Sequence, residues 1–410
     1  MDNLAIMEYI WHRLPIILIF INSYLVYRLL VSTQLTHVFV QKAINKSNGN
    51  IYQIISYILL TGALLSFFIP NAVTVLILLP VIKQIEKQMA LSDISKKESF
   101  KITTALALSA IYGANIGGMG SLVGSPANLV LIGALDLLGG HKSVNITFLN
   151  WFLWSIPLVS LFLTCAYCVI RYFVIPSSNA SHICCIDNSN QLNNKQKKAL
   201  LLFFIFVLFW ITNSLFQQLF NSYEKNQSFF CLIFIFFFMI GLFSNPKVLP
   251  YKELIRGVPV RGFFVLLIFI AFMIMVRTLK IDQLGAKYLN QILPSKTSTY
   301  ILVFWITSIS IILTEFLSNT VVSTALFPIV YQTAMVNNIL PITLMIPVSV
   351  ASTCAFMTPI ATPCNAFVYG EMKGIKLSKM IFCGLLLNLL CVLCVTFWIP
   401  IILPIIYGNP

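Results

Sequence analysis

The hydrophobic residues of this chain fall in blocks of about 20, the number a helix needs to cross a roughly 30 Å hydrocarbon core. Such blocks lie near residues 8 to 32, 150 to 175, 199 to 221, 229 to 245, 257 to 279 and 380 to 408, and each predicts an ordinary transmembrane helix. Four other apolar stretches are too long for one straight helix: 52 to 82, 102 to 136, 298 to 332 and 341 to 371. Polar, Gly or Pro residues interrupt each of them. Pro70-Asn71-Ala72 breaks the first and Ser318-Asn319-Thr320 the third. The arms that remain have about 12 to 18 residues, too few to span comfortably at 1.5 Å per residue. These two stretches predict re-entrant hairpins with tips near the midplane, where irregular backbone is tolerated only if protein buries it or it lines a cavity.

The other two predict broken membrane helices. In ATPCN, Ala361 to Asn365, Thr362 is a good N-cap and Pro363 suits the first helical position, so a helix begins partway across the bilayer; GSPAN, Gly124 to Asn128, has the same form. The interruptions also match one another. NAVTVLILLP, Asn71 to Pro80, aligns without gaps on NTVVSTALFP, Asn319 to Pro328, and a hydroxyl, Ser66 or Thr314, stands five residues before each Asn. GSPAN aligns with ATPCN, and Gln34-Leu35 with Gln283-Leu284. The chain is an internal repeat with a period of roughly 240 residues.

Composition fixes the class. The chain of 410 residues is 59% hydrophobic and only 9% charged, which makes it a polytopic, all-α membrane protein of the cell membrane, embedded in the lipid bilayer. Its net charge of +14 does not point to nucleic acid, because the lysines cluster between apolar spans instead of forming a continuous basic stripe. Lys83, Lys87, Lys96, Lys97 and Lys101 occupy one loop, Lys195, Lys197 and Lys198 a second, Lys247, Lys252 and Arg256 a third, and Lys373, Lys376 and Lys379 a fourth. Read as cytoplasmic, they send the first hairpin in from inside. An odd number of crossings follows, so the second hairpin enters from outside and the repeats are inverted. Most of the ten cysteines lie in apolar spans as packing residues, and Cys184, Cys185 and His182 lack a nearby fourth ligand. The first apolar segment has no small-residue cleavage site and reads as a signal anchor. No nucleotide loop, metal-ligand helix or nucleophile arrangement marks an enzyme, and no cofactor is implied.

A helix that starts at the midplane aims unpaired N–H groups and a positive dipole end at the protein centre, which suits an anion. Four such starts are expected, after Asn71 and Asn319 and at Ser125-Pro126 and Thr362-Pro363. The hydroxyls of Ser66 and Thr314, the amide carbonyls of Asn71 and Asn319 and unwound carbonyls near Gly124 and Ala361 are hard oxygen donors suited to Na+. Glu315 lies four residues before Asn319 at a depth where a carboxylate is costly. It serves either the site's chemistry or the anchoring of the hairpin.

At these residues the sequence resembles the divalent anion:sodium symporter family, the dicarboxylate, citrate and sulfate carriers of the ion transporter superfamily. The motifs that carry the resemblance are SNT at 318 to 320, ANIGGMGSLVGSPANLV at 114 to 130 and CAFMTPIATPCNAF at 354 to 367. The resemblance implies a homodimeric elevator carrier that moves a small anion with Na+. One sodium site would use Ser66, Asn71 and Gly124, the other Thr314, Asn319 and Ala361. Substrate carboxylates would meet Asn71, Ser125, Ser318, Asn319, Thr320, Thr362 and Pro363. The expected organisation is a partial scaffold over 1–50, a first transport part over 51–176, a second scaffold of three spans and an interfacial helix over 196–297, and a second transport part over 298–410. Two departures stand out. The first tip lacks the hydroxyls of Ser-Asn-Thr, and the two scaffold helices expected before Leu14 do not precede it here, which predicts that Met1 either is not the ancestral start or marks a truncated chain. Sodium-independent anion exchange, oxyanion export and a transport-incompetent sensor are the alternative functions.

Overall fold

The computed structural model describes residues 3–47, 49–90, 95–139, 146–175, 191–220, 223–251, 254, 271–272, 275–276, 278–292, 298–372 and 374–408. Every element among them is helical. In chain order they are α1 (Asn3–Ser32), α2 (Leu35–Asn45), α3 (Ile51–Ser66), α4 (Asn71–Ala90), α5 (Lys96–Gly118), α6 (Pro126–Gly139), α7 (Phe148–Phe173) and α8 (Asn194–Leu219). Then follow α9 (Tyr223–Phe243), α10 (Ile281–Ile292), α11 (Thr299–Thr314), α12 (Asn319–Val336), α13 (Pro341–Thr353), α14 (Pro363–Glu371) and α15 (Leu377–Tyr407). Most of the expected span at 257 to 279, from 257 to 270 and at 273, 274 and 277, and the residues Cys184, Cys185 and His182 lie outside the described residues.

Spans Phe148–Phe173, Asn194–Leu219, Asn226–Phe243 and Leu377–Tyr407 are long and apolar enough to cross a membrane. Ile17–Ser32 and Leu35–Lys42 qualify together as a pair bent by 66°. Gln34 at that bend has φ 53°, and Lys280, just ahead of α10, has φ 53° as well. The backbone therefore matches Gln34 with Lys280, three residues from the register that Gln34-Leu35 and Gln283-Leu284 suggested.

The chain divides into two compact units. The first comprises Met1–Phe39, Thr147–Leu149 and Asn188–Pro259. In it α1 packs on α8 and α9. Polar contacts pin α1 at intervals: Tyr24 donates to the Leu254 carbonyl (2.7 Å), Gln196 to the Thr33 carbonyl (3.2 Å) and Ser228 to the Trp11 carbonyl (2.5 Å). A capping box between Asn193 and Gln196 starts α8.

The second unit comprises Val40–Ile146, Asn150–Asp187 and Val260–Pro410 and holds both interrupted pairs of each repeat. α3 and α4 form one hairpin, broken between Ser66 and Asn71; α11 and α12 form the other, broken between Thr314 and Asn319. α5 unwinds after Gly118 and resumes at Pro126 as α6; α13 unwinds after Thr353 and resumes at Pro363 as α14. α3 lies almost in backbone contact with α5, since a methyl group at Gly113 or Gly117 would collide with the Leu59 or Ala63 backbone. The last helices of the two repeats run antiparallel: Lys379, early in α15, donates to the Phe173 carbonyl at the end of α7 (3.1 Å), and Trp398, late in α15, donates to the Trp154 carbonyl near the start of α7 (2.9 Å). Equivalent helices that oppose each other are what an inverted repeat produces.

One end of this unit collects the lysine-bearing segments. Lys83 of α4 pairs with Glu371 at the end of α14, and the Lys376 N–H meets Thr104 of α5. The open end of the first hairpin, the start of α5, the end of α14 and the start of α15 therefore share one face.

Candidate functional site

The first hairpin tip turns between two side chains that the sequence paired. Ser66 closes α3 and Asn71 opens α4, and the Ser66 hydroxyl lies 2.6 Å from the Asn71 amide. The amide orientation that satisfies its surroundings aims Nδ2 at Ser66 Oγ (2.6 Å), the Ala114 carbonyl (3.3 Å) and the Gly124 carbonyl (3.3 Å). Gly118 leaves room for this, since a Cβ there would stand 2.5 Å from Asn71 Oδ1. Three oxygens thus converge on the end of one amide. Turned over, the amide adds a fourth oxygen, which takes the Ser66 hydroxyl proton at 2.6 Å. The donor chemistry fits Na+, a hard ion that takes hydroxyl and carbonyl oxygen.

The second tip repeats the arrangement with different neighbours. Thr314 Oγ1 is 3.0 Å from Asn319 Oδ1 and 2.8 Å from the Ser352 carbonyl. One hydroxyl proton serves one of these two acceptors at a time. Ser318 accepts from the Val321 N–H at 3.4 Å and caps α12, whereas Pro70 at the matching position offers only its carbonyl, which takes Val73 and Thr74 N–H at 2.8 and 3.0 Å. Ser318 is exposed and Thr320 half-buried.

Each unwound segment is closed by an asparagine. Asn128 Nδ2 donates to the carbonyls of Gly118 (3.2 Å) and Ser121 (2.7 Å); Asn365 Nδ2 donates to those of Ala355 (2.9 Å) and Thr358 (2.8 Å). In both repeats the partners stand ten and seven residues before the asparagine. The two clamps reach across to the opposite repeat. Asn115 of α5 donates to Asn365 Oδ1 at 3.2 Å, and Ser349 of α13 donates to Asn128 Oδ1 at 2.7 Å. All four side chains are fully buried. Motif alignment alone brought Asn128 and Asn365 opposite one another; the signal that would have singled them out is that both motifs end in the same amide.

Ser125 and Thr362 are where the sequence put them, at the starts of α6 and α14, and their hydroxyls are spent locally. Ser125 accepts from Ala127 N–H (3.3 Å); Thr362 accepts from Asn365 N–H (3.2 Å) and donates to Asn365 Oδ1 (2.9 Å). Pro363 is exposed beside them, and Ala361 N–H meets the Thr358 carbonyl at 3.5 Å. The structure therefore brings Ser66, Asn71 and Gly124 to one point and Thr314 to Asn319. Ala361, Thr362 and Pro363 share the second unwound segment, and Ser318 and Thr320 stand on the tip itself.

Glu315 faces into that second unwound segment. Its Oε1 accepts from the N–H groups of Phe356 and Met357, both at 2.9 Å, and from Asn388 Nδ2 at 2.9 Å, and its Oε2 accepts from Thr358 N–H at 3.0 Å. Of the two roles open from the sequence, the geometry supports anchoring.

Residues 5–244, more than half of the chain, match the family described as Citrate transporter. The sodium-dependent dicarboxylate transporter SdcS of Staphylococcus saprophyticus is 26% identical over 379 residues, covering 88% of this chain and 71% of the relative. An uncharacterized transporter of Haemophilus influenzae is 26% identical over 396 residues, covering 94% and 81%. Among solved structures, the Alcanivorax borkumensis YdaH transporter superposes with a TM-score of 0.60 at 12% identity, covering 98% of this chain and 90% of that one.

Proposed function

This chain belongs to the citrate transporter family, and from that premise we propose that it is a secondary carrier of a small di- or tricarboxylate, driven by inward Na+. That it is a membrane transporter and not an enzyme follows from the family; substrate and coupling ion are our reading. One observation carries it: the chain builds the same hydroxyl–Asn tip and the same Asn-clamped unwound segment twice, with equal spacings, in one compact unit.

In this reading the anion's carboxylates meet the N-terminal ends of α4, α6, α12 and α14, where backbone dipoles favour negative charge without adding a buried cationic side chain. Asn71, Ser125, Ser318, Asn319, Thr320, Thr362 and Pro363 line these starts. Ser66, Asn71 and Gly124, with Ala114, would hold one sodium ion, and Thr314, Asn319 and Ala361, with Ser352, a second. Sodium neutralises the anion and knits each tip to its unwound segment, so that the loaded hairpins and broken helices travel as one body. The names of the staphylococcal relative and of the family favour a carboxylate over an oxyanion and sodium coupling over exchange. A second copy of the chain and the bilayer are the expected partners. The test is a panel of labelled anions in reconstituted vesicles: selective uptake of di- or tricarboxylates supports the reading, and uptake of arsenite or sulfate alone refutes it.

A further inference from the structure

Among the described residues Glu315 is one of the few buried carboxylates, at 2% exposure, and no described lysine or arginine stands within ion-pair reach of it. A buried charge without a partner is costly. Here four N–H donors offset that cost, three of them consecutive backbone groups of the segment between α13 and α14. The backbone carbonyl of Glu315 takes the Thr358 hydroxyl as well, at 2.9 Å. All four groups around the carboxylate donate, so its oxygens act purely as acceptors.

The first repeat solves the same problem without charge. Four residues before Asn71, where Glu315 would be, stands Phe67, whose ring fills the space beside Gly120. Its carbonyl takes the Ser121 hydroxyl, as the Glu315 carbonyl takes that of Thr358. Where Asn388 should match, 23 residues after the clamp asparagine, stands Trp151, and it donates to the Met119 carbonyl at 3.0 Å; Ser155 donates to the Gly120 carbonyl at 2.8 Å. The first unwound segment is thus held by its carbonyls and an aromatic plug, the second by its N–H groups and an anion. Gly384 of α15 allows the second segment to lie against the helix that carries Asn388, because a Cβ there would come within 2.5 Å of the Phe356 carbonyl.

We propose that Glu315 is the positioning residue of the second half-site: it ties the tip of the hairpin α11–α12 to the unwound segment, so that the oxygens of Thr314, Asn319 and Ser352 stay gathered, and it touches neither cation nor substrate itself. The gathering of a cation site rests on the carrier reading above; the clamp does not. A tie of this kind fixes the second half-site chiefly through backbone N–H groups.

The test is amide hydrogen exchange on the detergent-purified protein, comparing wild type with Glu315→Gln and Glu315→Asp. Gln turns an NH2 toward donors, and Asp keeps the charge but is one methylene too short to reach three N–H groups. Losing one charge-assisted hydrogen bond corresponds to about a tenfold to hundredfold change. Both variants should therefore speed exchange at residues 356–358 by at least about tenfold and leave 119–121 unchanged. In vesicles both should raise the Na+ concentration for half-maximal uptake. Wild-type exchange at 356–358 in either folded variant overturns the clamp. Fast exchange along the whole chain in both overturns a local role. Wild-type protein that moves no anion sinks the carrier reading but leaves the exchange result intact.

Discussion

Replacing Asn365 by alanine removes four hydrogen bonds at once: those to the Ala355 and Thr358 carbonyls and those received from Asn115 and Thr362. Interhelical hydrogen bonds inside membranes average about 0.6 kcal/mol each, and neutral ones in proteins generally about 1. The neighbours are not left wholly without partners. Ala355 keeps a bond from Asn115 (3.3 Å) and Thr358 keeps one from Ala361 N–H (3.5 Å). We therefore expect a cost of roughly 2 to 4 kcal/mol, borne by the conformation in which the start of α14 is fixed. If that conformation is the one that binds, apparent substrate affinity falls by roughly 30-fold to several hundredfold. The assay is initial uptake against substrate concentration in reconstituted vesicles with matched expression. Asn128→Ala, which removes three equivalent bonds, should behave alike. Asn365→Asp should not rescue, because a carboxylate oxygen would then face two carbonyls. Wild-type affinity in Asn365→Ala would refute the reasoning and show that the unwound segment holds its shape without the clamp.

Asn319→Ala should abolish uptake, whereas Ala72→Thr, which restores a hydroxyl at the first tip, should leave uptake intact or sharpen apparent affinity; initial rates against substrate and sodium decide both. A cysteine at position 96 should be labelled only from the cytoplasmic side and one within 280 to 297 only from outside, so labelling of position 96 in intact cells would overturn the orientation. Lys83→Ala should leave uptake within about twofold of wild type, because its pairing with Glu371 is exposed at both ends and such pairs contribute little. Gly117→Val should prevent accumulation of monodisperse protein in size-exclusion chromatography, since its side chain would enter the Ala63 backbone.

Much of the architecture was legible in the sequence because a bilayer leaves few options: an apolar run that breaks in its middle must bury the break. The hairpins, the broken helices, their matched starts at Ser125 and Thr362 and the resemblance to the divalent anion:sodium symporters could all be read that way. Pairings within a tip, Ser66 with Asn71 and Thr314 with Asn319, were accessible because five residues across a turn is a local distance. The clamps were not. Asn128 and Asn365 act on carbonyls seven and ten residues upstream, through a fold that sequence spacing does not display. Nor could the sequence choose a role for Glu315, since its partners lie more than forty residues downstream on a segment with no regular structure. The register at Lys280 escaped for another reason: the match of Gln34-Leu35 to Gln283-Leu284 rested on identity, while the bend is set by a left-handed backbone residue.

The measurement closest to the central claim is accumulation of a labelled four-carbon dicarboxylate in vesicles holding the purified chain, with and without an inward Na+ gradient at fixed membrane potential. We predict concentrative uptake that requires Na+, is lost when choline replaces it, and disappears when Asn71 and Asn319 are both changed to alanine. Equal uptake in choline and sodium, or full uptake by the double variant, would contradict a sodium-coupled carrier whose site lies at the two hairpin tips.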